Sequence, residues 1–130
     1  MSVLNCPFCQ IDNQQILYQD ELVISFRDGF PISQGHTLII PKRHTPSFFE
    51  LTEQEHKSLL HALNMSKNEL NQSFNPDGYN IGINDGLAAG QTVMHLHVHL
   101  IPRYTGDCTD PRGGVRWIFP EKAAYWNGQP

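Results

Sequence analysis

His95-Leu96-His97-Val98-His99-Leu100-Ile101 is the stretch on which the reading of this chain turns. Side chains of a β-strand alternate between its two faces. Drawn out as a strand, the run sets His95, His97 and His99 on one face. Leu96, Val98 and Leu100 fall on the other, which needs a core to cover it. No packing requirement puts three imidazoles in a row beside a core strand; a polar outer face that is merely rich in His is the plain alternative. Neutral imidazole acts near pH 7 as metal ligand, nucleophile or general base. The run therefore points to a metal site or to a site that handles phosphate.

Upstream of it, residues 15–18, Glu21 to Phe26 and His36 to Ile40 read as short strands, the last stopped by Pro41. Thr52-Glu53-Gln54-Glu55 fits a capping box, a hydroxyl at the N-cap with a carboxylate three residues on. Leu59, Leu60, Leu63, Leu70 and Phe74 then recur at roughly helical spacing, and Asn75-Pro76-Asp77-Gly78 ends the helix. Tyr79 to Asn84 reads as a fourth strand and the His run as a fifth, stopped by Pro102. Residues 103–130 are rich in Gly and Pro and read as an irregular tail. Strands, one long helix, then strands, with short connections, favour antiparallel pairing in an α+β fold.

A length of 130 residues favours one domain, 1–130, large enough for a core without disulfides. With 39% hydrophobic and 17% charged residues the chain reads as globular. A net charge of −4 argues against nucleic acid as partner. The charge is uneven: residues 1–101 carry five Lys/Arg against ten Asp/Glu, and residues 102–130 four against three. An anionic ligand would need a local positive site, to which Arg103, Arg112 and Arg116 of the tail could contribute. There is no apolar run near the ~20 residues of a membrane span and no signal-peptide pattern, so the expectation is a cytoplasmic protein with no membrane partner. Three cysteines, an odd number, argue against a disulfide framework. Cys6-Pro7-Phe8-Cys9 has the C-x2-C spacing of zinc ligands; a redox pair or two idle thiols are the other readings, and the βαβ context of a redox motif is missing. Cys108 stands alone.

Residues 90–101 resemble the signature of the histidine triad (HIT) family, H-φ-H-φ-H-φ-φ. Gly35-His36-Thr37-Leu38-Ile39-Ile40-Pro41-Lys42-Arg43-His44, Phe26-Arg27-Asp28 and Ile83-Asn84-Asp85-Gly86 resemble further segments of it, so the likeness runs from about Cys6 to Arg103. The resemblance implies a five-stranded antiparallel sheet with one long and one short helix, joined in a homodimer into a ten-stranded sheet. It implies nucleotidyl transfer or hydrolysis at the α-phosphate of a nucleotide, either a dinucleoside polyphosphate such as Ap4A or a nucleoside phosphoramidate. The Gly-Gln-Thr turn and the Pro102-Arg103 ending lean toward the polyphosphate branch.

By match to the signature, His97 is the nucleophile that carries a transient nucleotidyl group. A neutral imidazole escapes the repulsion that phosphate oxygens exert on an anion, and its other nitrogen would keep its proton on a backbone carbonyl. His99 and His36 would donate to the phosphate oxygens. Gln91 and Thr92 match positions beside the phosphate or leaving group, with a plain turn role as the rival for Gln91. Asn84 resembles a phosphate-side Asn, with turn duty as its rival, and Gly90 lets the backbone approach the ligand. Asp28 resembles a residue that holds ribose hydroxyls. Phe8, Ile11 and Phe26 would form an apolar slot for the base, with core packing as the rival. In one branch of the family a Cys pair, a His after the Pro-Lys block and the first triad His hold zinc; here these are Cys6, Cys9, His44 and His95, an ordinary closed structural set. Two other functions stay open: a hydrolase whose His cluster holds a catalytic metal, and a non-catalytic nucleotide sensor.

Overall fold

The structure is a computed structural model that describes residues 3–128. Its five strands are β1 (Ile16–Gln19), β2 (Val23–Arg27), β3 (Thr37–Pro41), β4 (Gly78–Ile83) and β5 (Val98–Arg103). They form one antiparallel sheet in the order β1-β2-β3-β5-β4. The β1–β2 turn is closed by Asp20, whose carboxylate accepts from the N–H groups of Leu22 and Val23 at 2.8 and 2.9 Å. The long helix α1 (Glu53–Ser73) starts at the expected capping box, with Thr52 and Glu55 bonded reciprocally. Buried Glu55 also receives Arg43 at 2.8 Å, which ties the helix start to the segment after β3.

Each face of the sheet has its own core. Leu59, Ala62 and Leu70 of α1 pack on Val23, Ile39, Leu96, Val98 and Leu100. On the opposite face Ile24, Phe26, Leu38 and Ile40 pack with Ile16 of β1 and with Phe8 and Ile11 of the N-terminal segment. Register puts His99 opposite Leu38, on this second face.

The sequence-based strand limits shift by one or two residues, and the His run differs more. The ladder of β5 begins at Val98, so His95 and His97 lie before it. The reason is a switch of partner: the Leu96 N–H leaves the β3 ladder and donates to Thr45 O at 2.7 Å. Alternation survives the switch, since Leu96 is fully buried in the helix-side core. Pro102 does not stop the strand either; it pairs with Tyr79. The Arg103 carbonyl accepts from Asp77 N on the β4 side, so the missing N–H of Pro102 faces the other way. There β3 has already ended, with Thr37 opposite Leu100.

After β5 the chain runs without helix or strand as far as Gly113, and short helical pieces follow. These are 3-10 turns at Gly114–Ile118 and Tyr125–Asn127 and a short helix α2 (Pro120–Ala123). Arg112 stacks on Trp126 at 4.5 Å and Arg116 on Tyr125 at 4.8 Å. No helix among the described residues is long and apolar enough to cross a membrane.

Candidate functional site

Two clusters lie on the face of the sheet away from α1, joined by the segment His95-Leu96-His97. In the first, Cys6, Cys9, His44 and His95 place one ligand atom each within 4.8 Å of one another. The sulfur of Cys9 is 3.3 Å from His44 Nδ1 and 3.5 Å from His95 Nδ1, and that of Cys6 is 3.5 Å from the same nitrogen. A tetrahedral zinc with ordinary Zn–S and Zn–N bonds has S···N edges of about 3.5 Å. The protons also suit a metal. His95 Nε2 donates to Pro41 O at 2.7 Å, so Nδ1 of the neutral ring is bare and faces the sulfurs. Burial, above all, holds the His95 pKa below its ordinary value and keeps that ring neutral. These four residues could hold a metal, and their geometry fits zinc.

In the second cluster, His97 Nδ1 donates to the main-chain carbonyl of His95 at 2.9 Å. Its Nε2 is therefore bare in the neutral ring. His97 packs edge-on against Phe8 at 5.0 Å and against His99 at 5.2 Å between ring centres. His36 is fixed by a group with no side-chain signature: the Ile32 N–H donates to its Nδ1 at 3.2 Å. The His36 proton must then sit on Nε2, from which it donates to His99 Nδ1 at 2.9 Å. His99 in turn keeps its proton on Nε2, a donor left for a ligand. Asp28 Oδ2 stands 3.4 Å from His36 Nε2. Burial lowers the pKa of both His36 and His99, and neighbouring His97 and His36 lower that of His99 further, while Asp28 opposes the shift. Both rings are neutral at pH 7.

The carboxylate and two imidazoles of Asp28, His36 and His99 also converge within 4.8 Å. A metal there would bind His36 Nε2 and push its proton to Nδ1, where it would meet the Ile32 N–H donor against donor. The loop thus presets this cluster as hydrogen-bond donors rather than as metal ligands.

A cavity of about 790 Å³ opens beside these groups and is lined by Asp28, His36, Asn84 and His99. Its apolar wall includes Phe30, Ile32, Val115 and Ile118. Gly90, at φ +93°, and exposed Thr92 flank the loop that carries Asn84. Gln91 does not join the cluster. Its amide oxygen accepts from Gly86 N at 2.8 Å, and its nitrogen donates to Pro46 O and Val93 O at 2.9 and 3.1 Å. It stitches the loops around the site. Asp85 does the same from the other side, accepting from Ser47 Oγ and Phe48 N. Phe26 and Ile11 are packed into the second core, and Phe8 bridges that core to His97.

The tail arginines are spent on other partners. Arg103 is bonded to both oxygens of Asp107 and to Asn80. Arg112 pairs with Asp110, and Arg116 donates to the carbonyls of Lys122 and Ala123. Arg27 turns toward α1, on Glu69 and Thr37. The sequence reading missed Ile32, because a main-chain donor leaves no trace in residue type. It passed over Asp85 as part of a matched segment without giving it work.

Comparison with known proteins agrees with this geometry. The HIT domain model matches residues 10–106. An uncharacterised HIT-like protein of Methanocaldococcus jannaschii is 42% identical over 106 residues, 78% of this chain and 81% of that one. Protein hit of Bacillus subtilis is 40% identical over 77% of this chain and 72% of its own. An adenylylsulfatase of Arabidopsis thaliana is 34% identical over 80% of this chain and 55% of its own. For an asymmetrical bis(5'-nucleosyl)-tetraphosphatase of Schizosaccharomyces pombe the values are 38%, 74% and 53%. A HIT family structure from Bacillus subtilis superposes with a TM-score of 0.72 at 33% identity, covering 95% of this chain and 93% of that one. A Zn-bound histidine triad protein from Mycobacterium smegmatis gives 0.65 at 31% identity, covering 87% and 85%. Sequence, fold and the arrangement of its imidazoles agree, and the chain belongs to the HIT domain family.

Proposed function

We propose that this protein cleaves nucleotides at the α-phosphorus through a covalent nucleotidyl-His97 intermediate. One observation carries the reading: the His97 Nδ1–H is held on the His95 carbonyl, which bares Nε2 as a nucleophile. In the first step Nε2 forms a bond to phosphorus while the bond to the leaving group breaks; the electron pair goes with that group, which takes up a proton from solvent, and the nucleotidyl-His97 ring carries a positive charge. In the second, water attacks phosphorus and gives up a proton to solvent, the P–N bond breaks with its electron pair returning to Nε2 of His97, and a nucleoside monophosphate departs. His99 Nε2–H, oriented through His36 and Ile32, donates to the phosphate oxygens as charge develops on them. Asn84, in the same cavity lining, supplies a neutral donor, and Asp28 holds ribose hydroxyls. Cys6, Cys9, His44 and His95 would hold a structural zinc, which as a closed site supplies no group to the reaction.

The charges around the cavity favour one leaving group over another. Arg103, the one Lys or Arg in its lining, is neutralised by Asp107, and Asp28 adds a negative charge. Among the described residues no cation in the lining is free for the distal phosphates of a dinucleoside polyphosphate. An amine leaving group with an apolar substituent fits the wall of Phe30, Ile32, Val115 and Ile118 better. The β4 edge is free in this sheet, with Ile81 exposed, and pairing of two such edges would give the ten-stranded dimer.

The test is a panel of adenylated and guanylated phosphoramidates, polyphosphates and sulfates, with capture of an acid-labile nucleotidyl-protein adduct. The adduct forms in the wild type and not in His97→Ala, whose turnover falls by several orders of magnitude while nucleotide binding survives. Near-normal turnover by His97→Ala overturns the proposal. So does tight AMP binding with negligible turnover of every compound, which marks a sensor. Faster cleavage of polyphosphates than of apolar phosphoramidates overturns the choice of leaving group alone.

A further inference from the structure

We infer that the Cys2His2 knuckle positions the nucleophile, so that metal occupancy sets the geometry of His97 through two contacts, the His95 carbonyl and the Phe8 ring. The inference rests on the reading of His97 as nucleophile and goes beyond a zinc that merely braces the fold.

The segment His95-Leu96-His97 lies outside the sheet ladder, so pairing with β3 does not hold it. Two hydrogen bonds anchor it: Leu96 N–H to Thr45 O, and His95 Nε2–H to Pro41 O. Burial of Leu96 in the helix-side core holds the backbone of the segment but neither imidazole, and the remaining anchor of the His95 ring is the metal cluster, which would take it through Nδ1. His95 therefore acts at both ends. Its ring is a ligand, and its carbonyl accepts the proton that leaves His97 Nε2 bare. Phe8 is the second link. It sits between the two cysteine ligands in sequence, so their sulfurs fix where its ring lies. That ring meets His97 edge-on at 5.0 Å, His95 at 6.1 Å and Phe26 at 5.7 Å. Without the metal, four ligand side chains from three chain segments lose their common centre. The two groups that orient His97 then lose their fixed positions together. Phe8 and His95 are positioning residues in this scheme, since neither needs to touch the reacting phosphorus.

The experiment reads His97 directly. Protein labelled with 15N-histidine is stripped of metal under reducing conditions, then reloaded with Zn²⁺ or Cd²⁺, with far-UV circular dichroism as the check on folding. Long-range 1H–15N spectra are expected to show His97 protonated at Nδ1 alone in the loaded protein. The folded metal-free protein shows a mixed or exchange-broadened tautomer, and Zn²⁺ restores the first state. An unchanged His97 tautomer without metal overturns the inference, and so does a protein that takes up neither ion. Should the metal-free protein unfold, Zn-loaded Phe8→Leu decides. It is expected to broaden the His97 ring signals and lower kcat at least fivefold with KM within twofold; unchanged signals and kcat overturn the coupling. If His97 responds to metal but no nucleotidyl adduct ever forms, the coupling stands and the nucleophile assignment fails.

Discussion

His36 and His99 share one hydrogen bond, and its direction is set from outside the pair by the Ile32 amide. Both rings are buried enough that their pKa values lie below the ordinary 6.5. The sign of the consequence follows from proton linkage. The unfolded chain takes up protons near pH 6.5 that the folded chain refuses, so stability from these rings is complete above that pH and is lost as pH falls through the folded values. Urea midpoints are therefore expected to stay level from pH 8 to about 7 and to drop below about 6.5. His36→Asn should flatten part of that drop; a profile identical to wild type would refute the assignment. Ring types were legible in the sequence because His, Asp and Asn are rare enough in an apolar setting to be noticed. Their protons were not legible, because the groups that fix them are main-chain atoms of Ile32, His95 and Pro41. Gln91 shows the converse: its position was found, but three loop contacts that only the fold brings together absorb its amide.

The elements differ in how locally their limits are determined. The start of α1 was legible in the sequence because a capping box is complete within four residues, and Thr52→Ala is expected to cost about 1 kcal/mol with turnover unchanged. The start of β5 was not legible, because it depends on where Leu96 leaves β3 for Thr45, a partner 51 residues away in sequence. Gly35 is the element-scale link to the site. It has φ +90°, and a Cβ there would lie 2.8 Å from Leu70 Cδ2 and 3.0 Å from Phe74 Cδ2. The end of α1 thus presses directly on the residue before His36. Gly35→Ala is expected to cost about 2 kcal/mol or more in urea unfolding, from backbone strain and overpacking together. Unlike Thr52→Ala, it should also lower the rate of nucleotidyl transfer, since the following imidazole must move. Equal effects of the two variants on rate would separate His36 from the helix end.

Across the whole molecule the sheet divides the work: α1 covers one face with a helix-long core, while a short N-terminal segment covers the other with Phe8 and Ile11. So small an apolar cover orders little chain by itself. The sequence reading could place the aromatic residues near the site but could not tell an open slot from a packed layer, because Phe26 and Phe8 satisfy both patterns until the N-terminal segment is folded over them. The Cys6/Cys9/His44/His95 cluster is what pins that segment to the end of β3 and to the His run. A metal bound only by the folded chain stabilises it by mass action, by roughly 4 kcal/mol at a thousandfold excess over Kd. Chelation is therefore expected to lower the thermal midpoint, and Zn²⁺ to restore it. The Cys6→Ala, Cys9→Ala double variant should start at the lower midpoint, bind no zinc and ignore the chelator. Asp28→Asn should keep the full metal response, because the Ile32 amide makes His36 a donor rather than a ligand. Stoichiometric zinc in the double variant, lost on Asp28→Asn, would move the metal to the imidazoles beside the cavity. It would also replace the His36 Nε2–H to His99 Nδ1 hydrogen bond by coordination and engage Asp28 with the ion, so one metal count decides between a hydrolase that works through a bare imidazole and one that works through a bound ion.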